Sequence, residues 1–180
     1  GRHFSAGMDL SVFTSSGLSM DGEPGRRNAG MSLLVKRLQA SFTALEEARV
    51  PVLAAVQGGC IGGAVDMVCA ADMRYASADA FFVVQETSIG MTADVGTLQR
   101  LPKLIPDGVA RELVYTGRRM PAERAREVGL VNEVFADHDT MLAGVMEIAA
   151  EIASKSPLAI WGTKETVNYG RDHTVADALN

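Results

Sequence analysis

Apolar positions change their spacing several times along the chain, and each change marks a different element. Met31, Leu34, Val35, Leu38, Phe42 and Leu45 recur at three- and four-residue intervals, which predicts an amphipathic helix over 31–48 with this face toward the core. The apolar run Val52-Leu53-Ala54-Ala55-Val56 reads as a strand, and Pro51 is tolerated at its start because that position need not donate to a ladder. Gly58, Gly59, Gly62 and Gly63 then mark a turn into a short apolar helix over 64–71. A strand over 72–76, a turn at Ser77-Ala78-Asp79-Ala80 and a strand over 81–84 follow.

Gly90 and Gly96 bracket a loop, and a helix starting at Thr97 is expected to stop near Pro102. Further helices are predicted over 107–115 and over 121–128, the second with Pro121 at its first position and Gly129 as its stop. A strand over 130–135 precedes Leu142, Val145, Met146, Ala149 and Ile152 at helical spacing, and a last helix covers 157–169. Residues 4–10 read as a strand end entering a turn. The stretch 11–30, rich in Ser, Gly, Asp and Arg, reads as a long loop, either a lid or plain disorder. Alternation of helix and strand makes the fold class α/β.

Composition narrows the setting. With 180 residues and 47% hydrophobic content, one domain with a substantial core is expected. No apolar run approaches the roughly 20 residues that span a bilayer, and the first five residues are not a signal peptide. A net charge of −5 without a polybasic run argues against nucleic acid as the main partner. Cys60 and Cys69 have neither a disulfide framework nor metal-type spacing with the histidines, so free thiols in a reducing compartment and no metal are expected. His3, His138 and His173, in polar surroundings, read as surface residues.

Candidate chemistry gathers around the glycine turn. Main-chain N–H groups at the start of a helix have no partner inside it, so they can face a carbonyl oxygen that gains negative charge. Neither common phosphate-binding glycine pattern is present. Three acids follow among mostly apolar neighbours: Asp66, Glu86 and Asp94. Carboxylates in such surroundings are candidates for shifted pKa values and proton transfer. Each also has a plainer account: Asp66 as a helix-start residue, Glu86 as a solvated strand end, and Asp94 as the holder of its own turn. Lys164 and Arg171 read either as a solvated helix face or as contacts to a polyanionic ligand.

Several separated segments carry a family resemblance. Ser5-Ala6-Gly7-Met8-Asp9-Leu10, the run Pro51 to Gly58 with Gly62-Gly63, and Gly96-Thr97-Leu98-Gln99-Arg100-Leu101-Pro102 together resemble the crotonase (enoyl-CoA hydratase/isomerase) superfamily. Within it, Gly59 to Asp66, Asp79-Ala80-Phe81-Phe82, Glu86 and Ala93-Asp94-Val95-Gly96 are most similar to the Δ3,5-Δ2,4-dienoyl-CoA isomerases. The resemblance implies a ββα spiral domain over 1–180 with C-terminal helices, lacking N-terminal strands and C-terminal helices of the full family. It implies an acyl-CoA substrate, no cofactor beyond that CoA thioester, and a homotrimer or hexamer.

Carried onto this chain, the resemblance makes the Met8 and Gly63 N–H groups the oxyanion donors, with Ala6, Gly7, Asp9 and Leu10 around the bound acyl-CoA. Glu86 would exchange a proton at C2 and Asp94 at C6, with Asp66 tuning or holding Glu86. An enoyl-CoA hydratase using Asp66 and Glu86 is the alternative, and a non-catalytic acyl-CoA binder or assembly subunit stands as a third. Ala64 departs from the pattern, occupying a position usually glycine in isomerases of this type. A bacterial cytoplasmic setting is expected, or a mitochondrial or peroxisomal one in a eukaryote.

Overall fold

A computed structural model of the chain describes residues 1–9, 11 and 23–179. Helix α1 (Pro24–Glu47) begins earlier than its apolar spacing predicted, so only part of the expected loop over 11–30 is described, and its last residues are helical. Pro24 fits the first helical position, and the Glu23 carboxylate accepts from the Gly25 and Arg26 N–H groups at 2.8 and 2.9 Å. A side chain therefore satisfies donors that the helix start leaves open. Expected residues 12–22 of the loop lie outside the described residues.

The next elements alternate between two sheets. Strand β1 (Leu53–Val56) belongs to one and β2 (Gly59–Ile61) to the other, and α2 (Gly63–Cys69) closes the turn of chain. Strand β3 (Met73–Ser77) returns beside β1 in parallel, and β4 (Phe81–Val83) beside β2 in parallel. This is a ββα spiral. Strand β2 corrects the expectation of a plain glycine turn: glycine has low strand propensity, yet pairing of Gly59, Cys60 and Ile61 with Phe81, Phe82 and Val83 decides the matter. Ser5 bridges to Cys60 on the other side, which lays the N-terminal segment along β2.

A 3₁₀ turn (Glu86–Ile89) leads to α3 (Thr97–Leu104) and α4 (Asp107–Thr116). Pro102 lies inside α3 rather than ending it; the helix stops two residues later, at Leu104. Strand β5 (Met120–Pro121) pairs antiparallel with β4, so Pro121 is a strand residue and precedes α5 (Ala122–Glu127) instead of opening it. Strand β6 (Glu133–Phe135) completes the β1-β3-β6 sheet. Helix α6 (His138–Ala153) starts with a capping box, in which Asp137 accepts from Thr140 N at 2.8 Å. Helix α7 (Pro157–Gly170) and the unanticipated α8 (Val175–Ala178) end the described chain.

The main core lies between the sheets and helices α2 to α5, with Phe82, Val65, Val68, Leu101 and Leu130 almost fully buried. A smaller cluster, Tyr75, Met141 and Val145, packs α6 on the β1-β3-β6 sheet. Lys164 belongs to neither of its expected settings. Its ammonium is buried, pairs with Asp72 at 2.8 Å and donates to Leu45 O and Val50 O at 3.0 and 3.1 Å. A buried cation needs this full set of acceptors, and the set ties α7 to the end of α1. Arg171 is likewise committed, pairing with Glu46 at 2.7 Å.

Candidate active site

Two turns of backbone meet beside the start of α2. Gly62 precedes that helix with φ 58° and ψ −125°, and its N–H donates to Val83 O at 2.9 Å, which fixes the turn to β4. Gly7 has φ 83°, and a Cβ there would come within 2.8 Å of Ile61 O and 3.1 Å of Gly63 N. Only glycine permits this approach. In consequence the Met8 and Gly63 amides are neighbours: a Cβ on Gly63 would stand 4.0 Å from Met8 N. Among the described residues neither N–H has a hydrogen-bond partner. Two unspent donors side by side can receive an oxygen that acquires negative charge.

A cavity of about 440 Å³ opens in front of them. Ala6, Gly7, Met8, Gly62 and Gly63 form its floor, α1 contributes Met31, Leu34, Val35 and Leu38, and Asp66, Glu86 and Asp94 all line it. The lining is mostly apolar with few polar groups, as expected for a site that takes a small-molecule chain. Of the residues expected around the acyl group, Asp9 is not part of this lining: it is exposed, and its carboxylate accepts from Ser11 N at 2.9 Å. Leu10 lies outside the described residues. Ala64 is buried, and its position is compatible with an open floor; it lines a neighbouring cavity with Ser5 and Met67.

Three acids share the cavity but not one environment. Asp66, in the first turn of α2, is fully buried. Its Oδ1 accepts from Thr97 N at 2.6 Å, while its Oδ2 has no donor. It thus caps the start of α3, a different helix from its own, and holds no hydrogen bond to Glu86. Of the two expected relations, tuning or holding Glu86, the contact is of the first kind: the two acids interact through charge. Burial pushes the Asp66 carboxyl above the usual aspartate range, bonding from Thr97 opposes this, and the Asp94 charge adds to it.

Glu86 opens the 3₁₀ turn, not a strand end, and it stands against Gly62, where a Cβ would lie 3.2 Å from its Oε1. Its Oε2 is buried without a donor. Burial pushes this carboxyl above the usual glutamate range; its own N–H draws it back in part, and the charges of Asp66 and Asp94 push it further up. A carboxylate so placed is a stronger proton acceptor than a solvated one. Asp94, by contrast, is exposed on the loop before α3, and its carbonyl oxygen accepts from Gln39 Nε2 at 2.7 Å.

Both cysteines are buried and unpaired; burial pushes the Cys69 thiol up to about 12 and the Cys60 thiol upward as well, which leaves them poor nucleophiles. His3 is less idle than its polar surroundings implied, since its Nδ1 accepts from Gly59 N at 2.9 Å beside the edge of Phe81.

The enoyl-CoA hydratase/isomerase family model matches residues 1–180, the whole chain. The chain belongs to the enoyl-CoA hydratase/isomerase family. Its similarity to a Homo sapiens protein named Delta(3,5)-Delta(2,4)-dienoyl-CoA isomerase, mitochondrial, is 47% identity over all of this chain and 56% of that protein. An Arabidopsis thaliana protein of the same name, labelled peroxisomal, is 41% identical over all of this chain and 66% of its own length. The chain therefore spans little more than half the length of the mitochondrial relatives that it matches. Among solved structures, an enoyl-CoA hydratase from Bacillus anthracis superposes with a TM-score of 0.86 at 33% identity, covering 99% of this chain and 66% of that one. The crotonase fold is thereby shown.

Glu86, Asp94, Asp66, Met8 and Gly63, all candidates from the sequence, meet at one site, and Thr97, Gln39 and Arg100 support it through contacts that no motif announced. Thr97, the partner of Asp66, gives no local signal, because the contact joins two helices 31 residues apart. Gln39 carries no motif on α1, and Arg100 figures only as part of the segment Gly96 to Pro102, without a role of its own. Arg100 instead reaches Glu46 through Nε and Nη2 at 2.9 and 2.6 Å and Thr43 at 3.1 Å. Only the packing of α1 against the Asp94 loop reveals them. Among the described residues no three His, Cys, Asp or Glu side chains converge as a metal-ligand set, and no helix is long and apolar enough to cross a membrane.

Proposed function

We propose that this protein isomerises a 3,5-dienoyl-CoA to the 2,4-dienoyl-CoA, a step in the oxidation of unsaturated fatty acids. The observation that carries the reading is the second carboxylate: Asp94 and Glu86 line one apolar cavity in front of the paired Met8 and Gly63 amides. A thioester oxygen set between those amides acquires charge when the Glu86 carboxylate removes a proton from C2. Each well-placed donor contributes about 2.7–4 kcal/mol to such a step. The electron pair left at C2 forms the C2–C3 double bond, the C3–C4 π pair moves to C4–C5, and the C5–C6 π pair takes a proton from Asp94 to form the new C6–H bond. One proton leaves and one enters, so no oxidant or metal is required. Exchange with water at exposed Asp94 and loss from Glu86 reset both acids.

Names of the sequence relatives support the isomerase, and those of solved neighbours support acyl-CoA binding, since a Thermobifida fusca protein described as an enoyl-CoA hydratase was solved with CoA. Hydration by Asp66 and Glu86 is disfavoured by the commitment of Asp66 to Thr97 N. The trimer or hexamer and the bacterial cytoplasm expected from the sequence are part of the same proposal; light scattering of the purified protein tests the first. Ultraviolet assays with a 3,5-dienoyl-CoA and a 2-enoyl-CoA test the activity. Growth of the conjugated 2,4-dienoyl band is expected. Loss of the 2-enoyl band alone would establish a hydratase, and no change with either substrate, despite binding, a non-catalytic acyl-CoA protein.

A further inference from the structure

The loop that carries Asp94 is tied down at few points. Met91 N donates to Glu86 O at 2.9 Å, and Gly96 O accepts from Gln99 N and Arg100 N at 3.2 and 3.0 Å. Between these, residues 92–95 have no main-chain partner from the main chain among the described residues. Ala93 is buried in the core and Asp66 holds Thr97 N, so the loop is anchored on its inner side and at its end. Asp94 sits between those anchors, and the hydrogen bond on its carbonyl comes from Gln39 Nε2 at 2.7 Å.

Gln39 is itself held in a definite place. Helix α1 buries no residue fully, so polar contacts along its second half do much to set its position. Gln39, Thr43 and Glu46 fall on one face at four- and three-residue spacing. Arg100, which follows the Asp94 loop, binds Thr43 and Glu46, and Glu46 also takes Arg171 at 2.7 Å. Lys164 Nζ and Asn168 Nδ2 donate to Leu45 O and Glu46 O at 3.0 and 3.1 Å, fixing the helix end. The half-buried Arg100–Glu46 pair keeps this face of α1 in register with the loop.

We propose that Gln39 is a positioning residue for Asp94: by binding its carbonyl, Gln39 sets where the Asp94 carboxyl stands over the far end of the acyl chain. The inference rests on the isomerase reading. Glu86 has its own supports in β4 and the Gly62 turn, and Gln39 touches neither. Loss of Gln39 therefore impairs delivery at C6 and spares proton removal at C2.

The test compares Gln39→Met, similar in length but without a donor, with Gln39→Lys, which keeps one. Isomerisation is followed at the 2,4-dienoyl band, and exchange at C2 by deuterium incorporation into recovered 3,5-dienoyl-CoA in heavy water. Gln39→Met is expected to lower kcat about five- to tenfold, the effect of one ordinary hydrogen bond. In Gln39→Met, KM and C2 exchange should stay within about twofold of the parent, on the scale of a single neutral contact, and Gln39→Lys should restore most of the lost rate through its charged donor. Equal slowing of exchange and isomerisation, or an unchanged kcat in Gln39→Met, would overturn the role of Gln39 alone. A parent protein that leaves the dienoyl-CoA unaltered would overturn the isomerase reading and this role with it.

Discussion

Glu86 and Asp94 line one cavity from two unlike pieces of backbone. Glu86 stands on a 3₁₀ turn directly after β4, against Gly62 and beside the buried Asp66, with one oxygen sealed from any donor. Asp94 stands on an exposed loop whose main chain is held chiefly by Gln39, Ala93 and the Asp66 cap on Thr97. The inner acid is thus set in rigid, poorly solvated surroundings that raise its proton affinity, and the outer acid meets water. That division suits a reaction in which one carboxylate must extract a weakly acidic proton and another must trade its proton with solvent between turnovers. It also means that the two acids can be perturbed separately.

The sharpest break in the comparison comes at the inner acid. Glu86→Gln is expected to lower isomerisation by about 10³–10⁴ and to abolish deuterium exchange at C2, in the range for loss of a positioned base. Asp94→Asn is expected to lower isomerisation by about 10²–10³ while C2 exchange persists, because the base and the two amides stay in place. Measuring both rates on both variants decides the assignment: exchange lost in Asp94→Asn and kept in Glu86→Gln would reverse the roles.

Gly62→Ala probes the wall between the glycine turn and Glu86. The substitution puts a Cβ at φ 58°, 3.2 Å from Glu86 Oε1. Strain of about 1–3 kcal/mol is expected, lowering Tm by roughly 2–4 °C per kcal/mol in a chain of this size. The activity should fall about tenfold through displacement of Glu86, and C2 exchange should fall with it. A loss of stability with exchange intact would show that Glu86 does not depend on this wall.

What could be read from the residues divides along the same line. Periodic apolar positions announced α1, β1, β3, β4 and the C-terminal helices, because those elements follow local spacing. Short β2 escaped, since its glycines disfavour a strand and its pairing with β4 is settled in three dimensions. The first two turns of α1 escaped because Pro24 and Gly25 look like loop residues until the Glu23 cap is seen. At the site, Glu86, Asp94, Met8 and Gly63 were legible through separated motifs that resemble a family. The supports around them were not: Asp66 to Thr97 and Gln39 to Asp94 join distant parts of the chain, as Lys164 to Asp72 does away from the site. A polar side chain carries no sign, in sequence alone, of the backbone atom that it will meet.

The smallest expected effect concerns stability and isolates the inner side from catalysis. Asp66→Asn keeps an oxygen for Thr97 N and removes a buried charge whose Oδ2 has no donor. The folded protein holds the Asp66 proton more tightly than the unfolded chain does, because burial raises the carboxyl above its ordinary 3.8. Stability of the parent protein therefore falls as pH rises from the unfolded value through the raised folded value, and is level above it. The variant lacks this loss. It is expected to be more stable at neutral pH by about 1 kcal/mol, or roughly 2–4 °C in Tm, with the gain shrinking as pH approaches 4. The same variant removes one charge that pushes Glu86 up, so the acidic limb of the rate profile should move to lower pH. Thermal melts and rate profiles from pH 4 to 8 measure both shifts together; a gain in stability that is independent of pH would place its origin in packing around Thr97 rather than in the Asp66 charge.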